Sequence, residues 1–247
     1  MQMQTQTGLR ERKAVIILSG GLDSTTCMGI AKEEGYELYP VTFDYGQRHR
    51  IEIEMASKVA RHYGVADRHR IISLPFLKQF GASALTDDSI EVPVAESSYS
   101  DADEKATVTD DDIPVTYVPG RNMLFLSICA SYAEAIGAEA VYIGVNSLDY
   151  SGYPDCRPEF IQQMQKVFDL ATKAGVEGRP IRIRTPLISM SKKEIVTTGT
   201  RLGVPYELTI SCYNGTIPAC GRCDSCRLRL KGFAEAGLKD PIPYETD

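Results

Sequence analysis

The stretch that decides the fold reads Ala14-Val15-Ile16-Ile17-Leu18-Ser19-Gly20-Gly21-Leu22-Asp23-Ser24. An apolar run that ends in glycines predicts a buried parallel strand that enters a tight turn. The residues at 24–31 continue with helical spacing. A strand, a glycine loop and a helix start together point backbone N–H groups at an anion. The sequence therefore predicts a phosphate-binding loop, in which a Cβ atom on either glycine would keep phosphate oxygens away.

This loop does not carry the Gly-Lys-Ser/Thr ending of a Walker phosphate loop. It resembles instead the SGGxDS pyrophosphate loop of the N-type ATP pyrophosphatase (PP-loop) superfamily. Those enzymes cut ATP between its α- and β-phosphates and transfer AMP to a substrate oxygen. The resemblance implies that ATP binds at Leu18, Ser19, Gly20, Gly21, Leu22, Asp23, Ser24 and Thr25. It also implies catalytic contacts from Ser19, Asp23 and Ser24, with Asp23 helping to position Mg²⁺.

The composition is that of an ordinary globular protein. The chain has 247 residues, of which 43% are hydrophobic, and a net charge of −6. Ten acidic residues and one lysine between Thr86 and Pro114 contribute −9, so the rest of the chain is about +3. No apolar run reaches the ~18 residues of a transmembrane helix, and the polar amino terminus lacks the apolar region of a signal peptide. Seven cysteines without an export signal indicate a reducing, cytoplasmic location.

Apolar strands alternate with helix-length segments, which predicts an α/β fold built from βαβ units. The predicted strands cover 14–18, 36–43, 70–74, 140–144 and 181–185. We expect a Rossmann-like open parallel sheet with helices on both faces, plus a small carboxyl-terminal zinc-bound segment. The predicted domains are a disordered tail at 1–13, an ATP-binding α/β domain at 14–205 and a cysteine segment at 206–247.

Polar loops are predicted to follow four of the strands, and in an open parallel sheet such loops form the binding crevice. They lie at 19–24, 44–49, 119–122 and 146–157. The acidic stretch at about 81–114 has no sustained period, and we interpret it as a solvated insertion rather than a gate.

Two helical patterns in the second half of the chain are specific enough to test. A helix is predicted at 159–174, with Ile161, Met164, Val167, Phe168 and Ala171 on its buried face. The run Ser191-Lys192-Lys193-Glu194 is a capping box that predicts the start of another helix.

Four cysteines, Cys212, Cys220, Cys223 and Cys226, are spaced C-x7-C-x2-C-x2-C. Four soft thiolates this close together suit a tetrahedral, structural zinc ion. An iron–sulfur cluster and free redox thiols are the alternatives. Cys27 and Cys129 are interpreted as core residues, and Cys156 as a lining residue of a pocket rather than a nucleophile.

Longer motifs then identify a family. They are Asp44 to His49, Ser83-Ala84-Leu85-Thr86, Val118 to Asn122, Gly144-Val145-Asn146, Asp149 to Arg157, and Ser211-Cys212-Tyr213 with the three cysteines that follow. With the glycine loop, they resemble the 7-cyano-7-deazaguanine synthases, which make the nitrile precursor of queuosine and archaeosine. Ile210, where many relatives have tryptophan, and the stretch at 96–112 depart from the pattern.

The family activity that this resemblance implies is the ATP-dependent conversion of 7-carboxy-7-deazaguanine and ammonia into 7-cyano-7-deazaguanine. The resemblance also implies a homodimer. The residues implied for substrate binding are Tyr45, Gln47, Arg48, His49, Asn146, Tyr153, Asp155 and Arg157.

Several of these residues have a chemical reason for their role. Arg121 and Lys192 are candidates to neutralise phosphate charge, with a surface ion pair as the competing interpretation. Asp155 would read the guanine-like edge of the base, and Arg157 would hold the substrate carboxylate in a bidentate fork. Tyr45 and Tyr153 would stack on the rings, although core packing explains each tyrosine equally well.

Two other functions remain open at the level of sequence. A PP-loop tRNA-thiolating enzyme would need catalytic thiols and a basic surface. A zinc-dependent nucleic-acid-binding module would use the basic run of Arg222, Arg227, Arg229 and Lys231. The acidic balance argues against both, and we expect neither stable nucleic-acid binding nor a membrane partner.

Overall fold

The computed structural model describes residues 12–94, 113–146 and 152–245. Its centre is a five-stranded parallel sheet with the order β3-β2-β1-β4-β5. The strands are β1 (Lys13–Ile17), β2 (Glu37–Asp44), β3 (Arg70–Ser73), β4 (Ala140–Tyr142) and β5 (Arg182–Arg184). The predicted open parallel sheet is confirmed, and the strand order reverses between β1 and β4.

Eight α-helices belong to the described part of the chain. They are α1 (Leu22–Glu33), α2 (Ile51–His62), α3 (Phe76–Phe80), α4 (Arg121–Ile136), α5 (Pro158–Ala171), α6 (Lys173–Val176), α7 (Lys192–Arg201) and α8 (Asp224–Glu235). Two 3₁₀ turns cover Pro154–Cys156 and Tyr206–Leu208. None of the helices in these described stretches is long and apolar enough to cross a membrane.

Strand β1 is buried on both faces, which explains its continuous apolar run. Ala14 and Ile16 pack in one core with Met28 of α1 and Val59 of α2. Val15 and Ile17 face the opposite core, which contains residues of α4 and α5. The helices therefore cover both faces of the sheet, as predicted.

Several sequence predictions need correction. Strand β1 begins at Lys13, inside the predicted tail, and residues 119–122 precede α4 without following a strand of the described sheet. In α5, Ile161, Met164 and Phe168 are buried, but Val167 is 49% exposed and Ala171 is exposed. The helix predicted as one element at 159–174 is divided into α5 and α6.

The capping box is confirmed, because the Ser191 side chain accepts a hydrogen bond from the Glu194 backbone N–H and Glu194 reciprocates. Most of the acidic insertion, at 95–112, lies outside the described residues. Its first residues are fixed to the cysteine segment, since Val94 forms a β-bridge with Cys223.

Candidate active site

The loop after β1 leaves the amino end of α1 open. Gly21 is the residue before the helix, and it has no side chain with which to cap the N–H groups of the first turn. Such a helix start has partial positive charge and binds anions. The hydroxyl groups of Ser19 and Ser24 lie 2.9 Å apart, and the Ser24 hydroxyl donates to the Gly21 carbonyl at 3.2 Å. The loop is thus closed by its own serines and offers free amides to a phosphate.

Gly20 is required for a different reason from the one that the sequence suggests. Its φ is +87°, and a Cβ atom there would lie 2.3 Å from the Glu52 carbonyl oxygen and 2.7 Å from the Ala56 backbone nitrogen. At Gly21 the nearest atom to such a Cβ would be Ser19 Oγ at 3.3 Å. Gly20 therefore allows α2 to approach the loop, and phosphate access past Gly21 stays a prediction.

Lys192, at the start of α7, reaches the same helix end. Its side chain is buried, and Nζ donates to both carboxylate oxygens of Asp23, at 3.1 and 3.0 Å. Gly232 of α8 lies against its aliphatic stem, because a Cβ atom there would come within 2.5 Å of Lys192 Cγ. Lys192 does form an ion pair, but the pair is at the phosphate loop and not on the open surface.

A cavity of about 210 Å³ opens at the carboxyl ends of β1 and β4, where the strand order reverses. Open α/β sheets bind ligands at this position. All four predicted loops contribute residues to the lining of the cavity. The predicted site residues that line it are Leu18, Ser19, Gly21, Leu22, Asp23, Ser24, Tyr45, Gln47, His49, Arg121, Asn146 and Tyr153. The lining does not include Gly20, Thr25, Arg48, Asp155, Arg157 or Lys192.

Aromatic rings form one wall of this cavity. Phe43 and Phe125 stack with ring centroids 3.9 Å apart, and Tyr45 lies 5.7 Å from Phe125. Arg121 donates to the Tyr45 hydroxyl at 3.1 Å, with its guanidinium 5.8 Å from the ring centroid. Burial raises the pKa of Tyr45 and of Tyr153, so both phenols stay neutral near pH 7. The wall suits a flat, polar ring next to a fixed positive charge.

Asp155 lies behind this wall rather than in the cavity. Its Oδ2 accepts a hydrogen bond from the Asn122 backbone N–H at 2.9 Å, at the amino end of α4. Burial raises the pKa of Asp155, while the Asn122 bond and Arg121 act in the opposite direction. The carboxylate that the sequence assigns to base recognition is therefore engaged with the helix that carries Arg121. Its contact with a substrate stays a prediction.

Cys156 lines the cavity, as expected from the sequence. Burial is the main cause that raises the pKa of its thiol to about 12, and the neighbouring Asp155 adds to the shift. Near neutral pH the group is a thiol, which is a poor nucleophile. Cys27 and Cys129 are fully buried, so their interpretation as core residues is confirmed.

The loop after β2 contributes a buried histidine to the cavity. His49 Nε2 lies 3.2 Å from Glu52 Oε2, and Gln47 braces the loop by donating to the Phe43 carbonyl at 3.1 Å. Arg48 points away, because its guanidinium donates to Asp88 at 3.2 Å and to the Asp87 carbonyl at 3.1 Å. Arg157 is exposed, so substrate contacts of both arginines stay predictions.

The four cysteines form a single cluster. Their sulfur atoms all lie within 4.8 Å of one another, and all four side chains are buried. A tetrahedral zinc ion with Zn–S bonds of about 2.3 Å places its sulfurs about 3.8 Å apart, so the cluster fits a metal of this kind. None of the seven cysteines is in a disulfide. The cluster could hold a metal ion such as zinc.

This cysteine segment is part of the site and not a separate appendage. The Ile210 backbone N–H donates to the Gly20 carbonyl at 3.0 Å. A Cβ atom on Gly215 would lie 2.7 Å from His49 Cα, which shows how closely the segment covers the loop after β2. Ser211, Tyr213 and Ser225 line the cavity.

The sequence analysis assigned no site role to these three residues or to Glu52, Asn122 and Phe125, which line the same cavity, although Ser211 and Tyr213 belong to one of its motifs. For Asn122 a signal was present, since it ends one of the four quoted loops. Glu52 and Phe125 lie inside helices. The helical periodicity of the sequence distinguishes a polar face from an apolar face there, but it does not indicate which residues line a cavity.

The chain matches the family model described as "Queuosine biosynthesis protein QueC" over residues 13–237. A 7-cyano-7-deazaguanine synthase of Desulfitobacterium hafniense is 57% identical over 233 residues, which are 94% of this chain and 93% of the relative. One of Oceanobacillus iheyensis is 57% identical over 94% of this chain and 98% of the relative. A solved structure of a 4-thiouridine synthetase–RNA complex with bound ATP is 21% identical, with a TM-score of 0.49. The match covers 94% of this chain and 47% of that chain. This similarity is too distant to indicate function. The family model matches most of this chain, and the two synthases match it over nearly their whole length. This chain therefore belongs to the QueC family, whose curated relatives are named 7-cyano-7-deazaguanine synthases.

Proposed function

We propose that this chain is an ATP-dependent carbon–nitrogen ligase that converts 7-carboxy-7-deazaguanine and ammonia into 7-cyano-7-deazaguanine, a queuosine and archaeosine precursor. One observation carries the proposal. A single cavity joins the uncapped amino end of α1 to an aromatic chamber that holds Arg121. Phosphates and a planar heterocycle can therefore lie side by side.

The reaction begins with a carboxylate, which is a poor electrophile because its oxygen is a poor leaving group. Its oxygen attacks the α-phosphorus of ATP, pyrophosphate leaves, and the carboxylate becomes an acyl adenylate. Ammonia then attacks the acyl carbon, and AMP and a proton leave, which gives the amide. A second ATP activates the amide oxygen in the same way. Loss of AMP and of both N–H protons leaves the nitrile.

The chain's own groups have distinct parts in this sequence. The free amides after Gly21 and the Ser19 and Ser24 hydroxyls would hold the departing pyrophosphate. Interaction with Tyr45 and Asp155 raises the pKa of Arg121 in spite of its burial, so its charge is permanent. Arg121 lines the same cavity as the phosphate loop and the aromatic wall, in which the acyl adenylate would form.

Two metal ions complete the proposal. Asp23, with its carboxylate at the start of α1, would help to hold Mg²⁺, which neutralises phosphate charge when bound. Cys212, Cys220, Cys223 and Cys226 would hold one zinc ion per chain, and four protein ligands make such a site structural. Lys192 would compete with Mg²⁺ for Asp23 until ATP brings further negative charge.

The nucleic-acid alternatives find little support in the geometry. Arg229 of the basic run is buried, and its guanidinium is paired with Asp240 at 2.7 and 2.9 Å. It is therefore not available to a phosphate backbone. We also propose a cytoplasmic homodimer, on the basis of the family resemblance; light scattering of the purified protein tests the dimer.

Mass spectrometry of the products tests the proposed reaction. The protein is incubated with ATP, Mg²⁺, ammonium and 7-carboxy-7-deazaguanine, and a nitrile product with AMP and pyrophosphate is expected. Arg121→Ala should lower the rate by about 10²-fold, the usual effect of removing an electrostatic contact to a developing charge. Arg201→Ala, which removes an exposed ion pair with Glu33, is the matched control and should leave the rate unchanged. If the metal-containing protein consumes no ATP in response to the substrate, the proposal is wrong and tRNA thiolation is the next assay.

A further inference from the structure

Two carboxylates line the cavity among the described residues, and their surroundings differ. The Asp23 carboxylate is neutralised by Lys192. Glu52, in the first turn of α2, is paired with His49, at 3.2 Å. Within the described ranges, no lysine or arginine forms an ion pair with Glu52. The negative charge of Glu52 is therefore available to a cationic ligand.

His49 holds this carboxylate in place. Its side chain is 4% exposed, and its Nε2 faces Glu52 Oε2. An imidazole that donates from Nε2 keeps a lone pair on Nδ1. This Nδ1 is buried and has no hydrogen-bond partner in the described part of the chain. A buried ring nitrogen without a partner is costly, which points to a polar guest at this end of the cavity.

The surroundings of the pair suit a small cation. Tyr213 lies on one side, with its ring 6.3 Å from that of His49. Tyr45 lies close enough that, after burial and Arg121, the charge of Glu52 contributes to its shifted pKa. Tyrosine rings near a carboxylate add the attraction of their ring faces to that of its charge for a cation. Gly215 packs closely on the backbone of His49, and Gly20 packs closely on that of Glu52.

We propose that Glu52, positioned by His49, is the ammonium site of this enzyme and the base that converts ammonium into the attacking ammonia. The inference rests on the proposed function, which requires ammonia as a substrate. At neutral pH ammonia in solution is almost entirely ammonium, which has no lone pair and cannot attack an acyl carbon. An enzyme that uses ammonium therefore needs a group that binds the cation and removes one proton.

The proton transfer is balanced within the pair. One N–H bond of ammonium breaks, its electron pair stays on nitrogen as the lone pair, and the proton bonds to the Glu52 carboxylate. Glu52 lines the same cavity as the phosphate loop, and its backbone carbonyl lies against Gly20 of that loop, so the ammonia would form in the cavity that receives the phosphates.

The pH dependence of the ammonium reaction separates this role from a structural one. In the unmodified enzyme, kcat/KM for total ammonium should change little between pH 7 and pH 9, because the enzyme itself removes the proton. In Glu52→Gln the reaction should depend on free ammonia and rise about tenfold for each pH unit, from a rate about 10²-fold lower at pH 7. The matched control is Glu54→Gln, which removes an exposed carboxylate from the same helix and should behave like the unmodified enzyme.

Hydroxylamine supplies the second readout, since it is uncharged at neutral pH and needs no deprotonation before it attacks. Glu52→Gln should form the hydroxamate at a rate within about threefold of the unmodified enzyme, because the missing base contributes only to ammonium. Equal losses with ammonium and hydroxylamine, or an unchanged pH profile in Glu52→Gln, would overturn the inference. If Glu52→Gln does not fold, Glu52→Asp, which withdraws the carboxylate by one methylene, undergoes the same two assays. Failure of the proposed function looks different: the unmodified enzyme then forms no product with either nucleophile.

Discussion

Gly20 is a residue whose conservative replacement carries two separate costs. Its backbone has φ of +87°, a conformation that side chains rarely adopt. In addition, its α-carbon lies against the backbone of α2, where neither Glu52 nor Ala56 can move without moving the helix. Gly35 has nearly the same φ, +81°, but a Cβ atom at that position would meet nothing within 4 Å. Substitutions at these two glycines therefore distinguish the cost of backbone strain from the cost of steric contact.

We expect Gly35→Ala to lower the free energy of unfolding by about 1–2 kcal/mol, from the left-handed backbone alone. Gly20→Ala should lower it by a further ~1–3 kcal/mol, since the clash with α2 adds to the strain. Urea denaturation measures both values. Gly20→Ala should also raise KM for ATP, because the loop that it displaces carries the free amides. Equal stabilities of the two variants would contradict the close contact with α2.

For single residues, the sequence identifies which loops carry chemistry but not which side chains face the cavity. The glycine loop, Tyr45 and Arg121 follow from motif and position. The burial of Asp155 against the Asn122 amide depends on how α4 is oriented, and a motif contains no information on that. Glu52 was missed because it belongs to the amphipathic pattern of α2, where a glutamate is expected on a solvated face.

Among the helices, α5 shows the limit of reading apolar residues as buried ones. Ile161, Met164 and Phe168 recur at helical spacing and are buried. Val167 is one residue before Phe168, and therefore lies about 100° around the helix from it and outside the buried stripe. Its apolar side chain suggested burial, but the helical position determines which face it occupies.

Helices α7 and α8 connect the cysteine segment to the phosphate loop. Gly232 of α8 leaves room for the stem of Lys192, and Lys192 in turn holds Asp23 at the start of α1. The buried ion pair depends on this contact, because a displaced ammonium would leave Asp23 without its partner. The position of α8 should therefore affect nucleotide binding, although no residue of α8 itself needs to touch the nucleotide.

Replacing Gly232 tests this connection. In Gly232→Ala, the added methyl group pushes against Lys192, and we expect KM for ATP to rise by about tenfold, equivalent to ~1.4 kcal/mol. The matched control is Gly237→Ala, just after α8, which has φ of +70° and nothing within 4 Å of a Cβ atom. It should lose stability through backbone strain and keep the KM of the unmodified enzyme. Steady-state kinetics and thermal unfolding of both variants separate the two effects; an unchanged KM in Gly232→Ala would exclude α8 as a positioning element.

For the whole molecule, the sequence predicts the sheet, both helix layers and the cysteine cluster. It does not predict that the cluster packs on the active site, because the contacts join residues nearly 200 positions apart, such as Ile210 and Gly20. Pairing over such distances is determined by tertiary packing, which local periodicity does not encode. The segment predicted as an appendage is therefore a wall of the cavity.

This arrangement predicts that removal of the proposed zinc ion affects both folding and nucleotide binding. Cys223→Ala should lose the bound metal and more than about 3 kcal/mol of stability, because a structural metal contributes directly to folding. ATP affinity should fall in the same variant, since Ile210 and Tyr213 would no longer be held against the loops after β1 and β2. Cys129→Ala is the matched control: it removes an equally buried thiol from α4, should cost about 1 kcal/mol and should keep the metal. Metal analysis, calorimetric ATP titration and thermal unfolding of both variants provide the comparison. If Cys223→Ala lost its metal but bound ATP with unchanged affinity, the cysteine segment would be a separate structural unit, and its contact with Gly20 would have no part in forming the nucleotide site.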